Sequence, residues 1–211
     1  MSAGTTRAPY WPVPLARAIP AIVVGLVITF SADHTALFGL VAFGAFAIIT
    51  GAVIAWGSFR LDDRMLRGVS LTQAAVSALA GIVALVFCTS GPGALFLVVI
   101  AFAAVTGFLE LYLGLRGRGR HPASREWLTL GVMTALLAIA VLIVPADYAL
   151  PWSAEDKGVV VSGLLTSQII VVGIIGAYAI LVGVFLVIGG LSARWAAQEK
   201  PATAQPATER D

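Results

Sequence analysis

Apolar residues in this chain run in long unbroken stretches, without the alternating or one-faced patterns of soluble strands and helices. Six stretches carry almost no charge: residues 18–30, 36–56, 69–88, 94–115, 127–144 and 168–188. A helix crossing the hydrocarbon of a bilayer needs about 20 such residues, within a range of roughly 17–25. Five stretches meet that length. The first is short and must borrow Pro14, Leu15 and Ala16, with Arg17 snorkelling to the surface. The pattern predicts an all-α fold, a polytopic bundle of six transmembrane helices.

Composition narrows the class further. Apolar residues make up 59% of the 211 residues and charged ones 11%, against about 25% charged in soluble domains. A disordered chain, a coiled coil and an ordinary cytosolic enzyme are excluded. The net charge of +2 gives no case for nucleic acid. A single cysteine, Cys88, excludes an internal disulfide framework and is expected to be a free thiol. No nucleotide-binding loop, zinc-binding helix or nucleophile elbow occurs. The sequence therefore predicts a non-enzymatic protein with no cofactor and no catalytic or metal site.

Charge placement sets the orientation. Twelve of the 13 basic residues fall before the first span, between spans two and three, between four and five, and after six. The other side holds only Lys157, beside Asp33, Asp147, Glu155 and Asp156. The positive-inside rule puts both termini in the cytoplasm of a cell inner (plasma) membrane. Trp11, Trp56, Trp127 and Trp195 each mark the cytoplasmic end of a span, where amphipathic rings favour the interface.

A repeat organises the spans. Ala45-Phe46-Ala47 precedes Gly51, Ala101-Phe102-Ala103 precedes Gly107, and Ala177-Tyr178-Ala179 precedes Gly183. Gly25 and Gly81 each stand 26 residues before the first two of these marker glycines, and the two units are offset by 56 residues. The third unit carries about 20 extra residues between its helices. The unit is a helical hairpin used three times in parallel (16–56, 68–115 and 126–190), because each copy begins and ends on the cytoplasmic side. Ala47 and Gly51, like Ala103 and Gly107 and Ala179 and Gly183, lie four apart. Each pair makes a small-residue face suited to close helix approach in lipid. The three second helices are expected to pack through this face, with a ligand groove along it as the alternative. Gly25, Gly51, Gly81, Gly107 and Gly183 are the expected packing positions.

With glycine in each of the first two first helices and a small-aromatic-small motif before glycine in each second, the chain resembles the HdeD-type acid-resistance membrane proteins. These belong to a wider set built from a short repeat of unknown function. Pro92 and Pro145 fit that family's Pro-containing outer turn, whereas Ser31-Ala32-Asp33-His34 and the long third outer loop depart from it. The resemblance implies a role in acid or envelope stress and transfers no catalytic residue.

Five segments stand outside the repeated spans. The region 1–15 reads as a cytoplasmic and interfacial N-terminal segment, and 196–211 as a disordered cytoplasmic tail. The six-helix domain lies between them, at 16–195. In the outer segment 146–167, Ser153 and Asp156 have the spacing of a helix cap, so a helix is expected near Ala154. The arginine loops 60–67 and 116–125 suit either topology alone or anionic lipid head groups. The bilayer is the certain partner; a homo-oligomer or a membrane-protein partner is compatible with the sequence.

Glu110 is the one acid inside an apolar span. Its repeat counterparts are Ile54 and Leu186, so the fold itself does not need a carboxyl there. Intramembrane acids are costly and functional by default. Glu110 is expected to face the bundle as a proton-sensitive site or an ion pair, with Arg60, Arg64, Arg67 or Arg125 as partner. A small transporter, a channel subunit or an accessory subunit of a larger membrane complex is the competing function. Against a transporter, the spans offer few other polar groups, chiefly Gln73, Ser77, Thr134 and Ser167.

Topology is directly testable. Reporter fusions after Arg64, Arg118 and Ala197 should read cytoplasmic, and fusions after His34, Gly91 and Lys157 external. An external reading at Arg118 would overturn the orientation.

Overall fold

The computed structural model describes residues 10–156 and 159–199. Its elements are α1 (Pro12–Phe30), α2 (Ala36–Ser58), α3 (Arg64–Val86), α4 (Pro92–Arg116), α5 (Ser124–Leu142), β1 (Ala149–Asp156), β2 (Val159–Thr166) and α6 (Ser167–Glu199). All six helices are long and apolar enough to cross a membrane. Large apolar side chains such as Ile19, Phe30, Leu79, Leu97 and Phe108 are exposed around the outside, as a lipid-facing surface requires.

Local chemistry starts and stops the helices. Pro12 and Pro92 occupy first-turn positions, where a missing N–H costs nothing. Gly91 adopts φ +84°, a left-handed conformation that sets the tight outer turn into α4. Thr35 caps α2 by accepting the Phe38 amide. Asp63 caps α3 by accepting the Met65 and Leu66 amides at 2.8 and 3.2 Å. Those two amides, Leu66 first, hold the Asp63 carboxyl below its ordinary pKa. The cap's contribution is thus present above the unfolded value and is lost as pH falls through the lowered one. Pro20 lies inside α1, more than two turns from its start, and cannot donate to the Ala16 carbonyl.

The helices close into a ring. The closest pairs are α2 with α3, α4 with α5, and α6 with α1. In each, the second helix of one unit packs on the first helix of the next, and α6–α1 closes the circle. This corrects the expectation that the small-residue faces of α2, α4 and α6 meet one another. A side chain added at Gly51 would lie 3.0 Å from the Ala78 amide nitrogen, one at Gly107 3.0 Å from that of Ala135, and one at Gly183 3.1 Å from that of Ile22. Ala78, Ala135 and Ile22 are themselves equivalent repeat positions, so one contact is made three times. Gly25 and Gly81 receive the same approach from the opposite helix, at the backbone of Ile180 and Ile48. Lipid tails are as apolar as the helices, so this backbone proximity, and not the exclusion of water, holds the pairs.

Two sequence expectations change at the ends. Residues 149–156 and 159–166 pair as two antiparallel strands, with Trp152 opposite Gly163, in place of a helix near Ala154. The run Val159-Val160-Val161 is β-branched and favours a strand. Gly163 leaves room for the Trp152 ring across the ladder, where a β-carbon would be 2.9 Å away. These cross-strand pairings outweigh the capping signal of Ser153 and Asp156. At the other end α6 continues to Glu199, so residues 196–199 are helical and not part of a disordered tail. At about 1.5 Å per residue its 33 residues exceed a hydrocarbon layer of about 30 Å, so its last turns stand beyond the membrane. The rest of the tail and residues 1–9 lie outside the described residues. Cys88 is a half-buried free thiol.

Glycine contacts give a graded test. Gly107→Leu and Gly51→Leu should each lose about 1–3 kcal/mol or more from overpacking, read as a lower melting temperature in detergent. Gly173→Leu should melt like the parent, because nothing lies within 4 Å of its would-be β-carbon. Equal tolerance at all three would contradict the packing.

Candidate functional site

The ring leaves a central axis onto which every repeat position projects three times. Most layers along it are apolar. One is not, and it lies where the copies of the repeat differ. Glu110 takes the place of Ile54 and Leu186, Tyr178 that of Phe46 and Phe102, and Thr134 that of Ala21 and Ser77. Arg17 and Gln73 share a position 56 residues apart, held in the third unit by Leu130. The substituted polar residues meet in space.

Glu110 is buried, 2% exposed, at the centre of the cluster. Its Oε1 accepts from Arg17 Nη2 at 2.7 Å and from Gln73 Nε2 at 2.9 Å. Its Oε2 accepts from Thr134 Oγ1 at 3.0 Å. Thr134 Oγ1 also lies 2.9 Å from the Tyr178 hydroxyl. The same Thr134 Oγ1 is 2.8 Å from the Leu130 carbonyl, so its one proton is shared between that carbonyl and Glu110 Oε2; whichever takes it, Tyr178 can donate to Thr134. The contacts link α6 through α5 to α4. Helices α1 and α3 supply the remaining donors.

This geometry corrects two expectations. Arg17 does not snorkel to the surface; it is 8% exposed and pairs with Glu110. The arginines of the cytoplasmic loops are not the partners. Arg60 lies over the Trp56 ring at 4.2 Å, and Arg67 donates to the Leu61 carbonyl. Gln73 and Thr134, noted in the sequence only as scattered polar residues, both bind the carboxylate. Ser77 lines the same space, whereas Ser167 donates to the Ala146 carbonyl at the foot of the hairpin. The signal that would have found the cluster is comparison of the copies: Glu110 and Tyr178 stand where both other copies are apolar, and Arg17, Gln73 and Thr134 stand at positions that are polar in two copies of three.

Beside the ion pair is an enclosed space of about 20 Å³ lined from all six helices, among others by Thr50, Thr106 and Phe102. Arg17 Nε and Thr50 Oγ1 are buried there without a protein partner. The volume suits one water, which has the polar contacts it needs at those two atoms. Among the described residues no group of three metal-ligating side chains occurs. What the arrangement does chemically is hold a carboxylate and a guanidinium, charged and hydrogen-bonded, inside the bilayer span.

A second cluster closes the end of the bundle where α1 begins. Trp127 Nε1 donates to the Tyr10 hydroxyl at 3.1 Å, and the His121 ring stacks on Trp127 at 4.8 Å between centroids. His121 Nδ1 accepts the Ala123 amide. Burial, foremost, raises the Tyr10 pKa above its ordinary value. No local pattern marks this cluster, because Tyr10 lies 117 residues from Trp127.

The ion pair predicts strong coupling. Removing one member of a buried pair costs about 3–5 kcal/mol, whereas replacing both with apolar groups is close to neutral. Arg17→Leu and Glu110→Leu should each destabilise the protein strongly, and the double variant should recover most of the loss. Additive losses in a double-mutant cycle of detergent melting or denaturation would refute the coupling.

Residues 16–86 match the family described as "Short repeat of unknown function (DUF308)", the family that contains the HdeD-type proteins. The match covers α1, α2 and α3, a third of the chain, and so includes one complete unit and the closely packed α2–α3 pair. No curated protein and no solved structure matches the chain. The six apolar helices make the chain a multi-pass membrane protein, of which residues 16–86 are similar to this short repeat.

Proposed function

We propose that the chain is a non-enzymatic inner-membrane protein of the acid or envelope stress response, with both termini in the cytoplasm and the Arg17–Glu110 centre as its responsive element. The observation that carries this reading is the placement of a buried carboxylate–guanidinium pair, joined at 2.7 Å, in one layer of an otherwise apolar axis. Repeat counterparts show that the fold is built without it at the other two positions. A charged pair at such a site is expensive and calls for a use.

Acid acts on it simply. The three donors around Glu110 suit an ionised carboxylate. A proton on Glu110 removes the counter-charge of Arg17 and turns one acceptor oxygen toward donors. Arg17 then stands as a buried charge without compensation, which strains the contacts among α1, α3, α4 and α5. Glu126 on α5 is the other carboxylate whose charge reaches Arg17. The resemblance to HdeD-type proteins supports acid as the stimulus.

The Arg17→Leu, Glu110→Leu double variant separates this role from folding. It should accumulate to parental levels in the membrane yet lose the acid survival that the parent restores to a deletion strain. Parental survival with the double variant would reduce the pair to a structural element. Substrate flux through the purified protein in proteoliposomes would move the reading to a transporter.

A further inference from the structure

The helices α5 and α6 are joined less closely than the three glycine-packed pairs. Toward their cytoplasmic ends they border a groove of about 620 Å³, completed by the residues that lead into α1. Ligand pockets fall in the range of about 300–1,000 Å³. Phe185, Gly189 and Ala193 of α6 provide an apolar wall, and Trp11 faces them from the N-terminal side. The opposite wall carries Arg125 and Glu126 of α5.

Glu126 is the informative residue. Its Oε1 is buried and has no hydrogen-bond partner. Its Oε2 lies 3.8 Å from where a β-carbon on Gly189 would sit, and nothing else is within 4 Å of that point. A carboxyl so placed is costly to leave unpaired, and an ammonium donor would satisfy it. Arg17, the nearest buried one, is engaged with Glu110 through Nη2. Arg125 is adjacent in sequence, and neighbouring residues of a helix do not face each other. Cations do border the groove where an anion is wanted: Arg125 on its wall, and Arg194, whose guanidinium lies 5.4 Å from the centroid of the groove-lining Trp11.

We propose that this groove binds a phospholipid with a primary ammonium head group, a phosphatidylethanolamine. Its ammonium meets Glu126, its phosphodiester faces Arg125 and Arg194, and its apolar body lies along Phe185, Gly189 and Ala193. The order of charges is what selects it. A carboxyl beside one lining arginine, Arg125, with Arg194 held over the lining Trp11, matches a zwitterion with a phosphate and a terminal ammonium. It opposes a purely anionic glycerol head group, and a trimethylammonium group has no N–H to donate to Glu126. Trp11 and the other cytoplasmic tryptophans put the groove at the level of the lipid head groups.

Native mass spectrometry of the full chain, titrated separately with phosphatidylethanolamine, phosphatidylcholine and phosphatidylglycerol, tests this. One phosphatidylethanolamine should bind at least about tenfold more tightly than either of the others. Glu126→Gln should abolish that preference. Gly189→Leu should block the groove and remove the one-to-one lipid while melting like the parent, because space is open at that glycine. Equal binding of phosphatidylethanolamine and phosphatidylglycerol, a preference that survives Glu126→Gln, or a lipid-free protein whose groove is filled by its own chain ends would each overturn the proposal.

Discussion

Inside a bilayer a helix gains nothing by exchanging a lipid tail for an equally apolar neighbour, so helices stay together only where their backbones come close enough for dense packing. In this protein that requirement is met at glycine. Gly51, Gly107 and Gly183 bring α2, α4 and α6 against the backbones of α3, α5 and α1, and Gly25 and Gly81 return the approach. The same contact repeated three times makes a closed ring. A closed ring of six helices necessarily has an axis, and what lies on the axis follows from which side chains the three glycine contacts turn inward.

The axis explains why a carboxylate is tolerated where two other copies of the repeat hold isoleucine and leucine. Glu110 is surrounded by helices from every direction, so donors arrive from three of them without any side chain having to reach around lipid. The donors come from two repeat positions, one shared by Arg17 and Gln73 and the other by Ser77 and Thr134. Arg17 alone would be a buried cation, Gln73 a buried amide and Tyr178 a hydroxyl in a ring position built for phenylalanine; together they satisfy one another. A polar network in low dielectric is favourable only when it is nearly complete. The remaining gaps, at Arg17 Nε and Thr50 Oγ1, adjoin a space the size of one water.

The two ends of the bundle are built differently. At one end the third unit's extra residues pair with each other as two strands, anchored where the Ser167 amide donates to the Tyr148 carbonyl. At the other end His121 stacks on Trp127 with Tyr10 edge-on to both, and Trp127 joins Leu61, Leu66 and Leu113 in a small separate core. The extension of α6 past the membrane, with the segment before α1, walls the groove that carries Glu126. The ring is thus uniform at mid-span and specialised at its ends, where the repeat no longer dictates the contacts.

Length and hydrophobicity were enough to determine six spans from the amino-acid order alone, because a span is a property of one contiguous stretch. The repeat, its parallel sense and the glycines that mark it were equally legible, since offsets between copies can be counted along the chain. Glu110 stood out for the same reason, as an acid where its counterparts are apolar. Its partner did not. Arg17 sits at the edge of a short apolar stretch and reads as a topology signal; only the closing of α6 onto α1 carries it to α4, 93 residues away. Which helices touch was likewise a tertiary decision, because the small faces of the second helices suit one another as well as they suit the first helices of the next unit. The outer hairpin was decided by cross-strand pairing of Trp152 with Gly163, a contact between residues 11 apart that a local capping signal cannot register. Local patterns specify elements, whereas partners are chosen by the closure of the ring, which no single segment encodes.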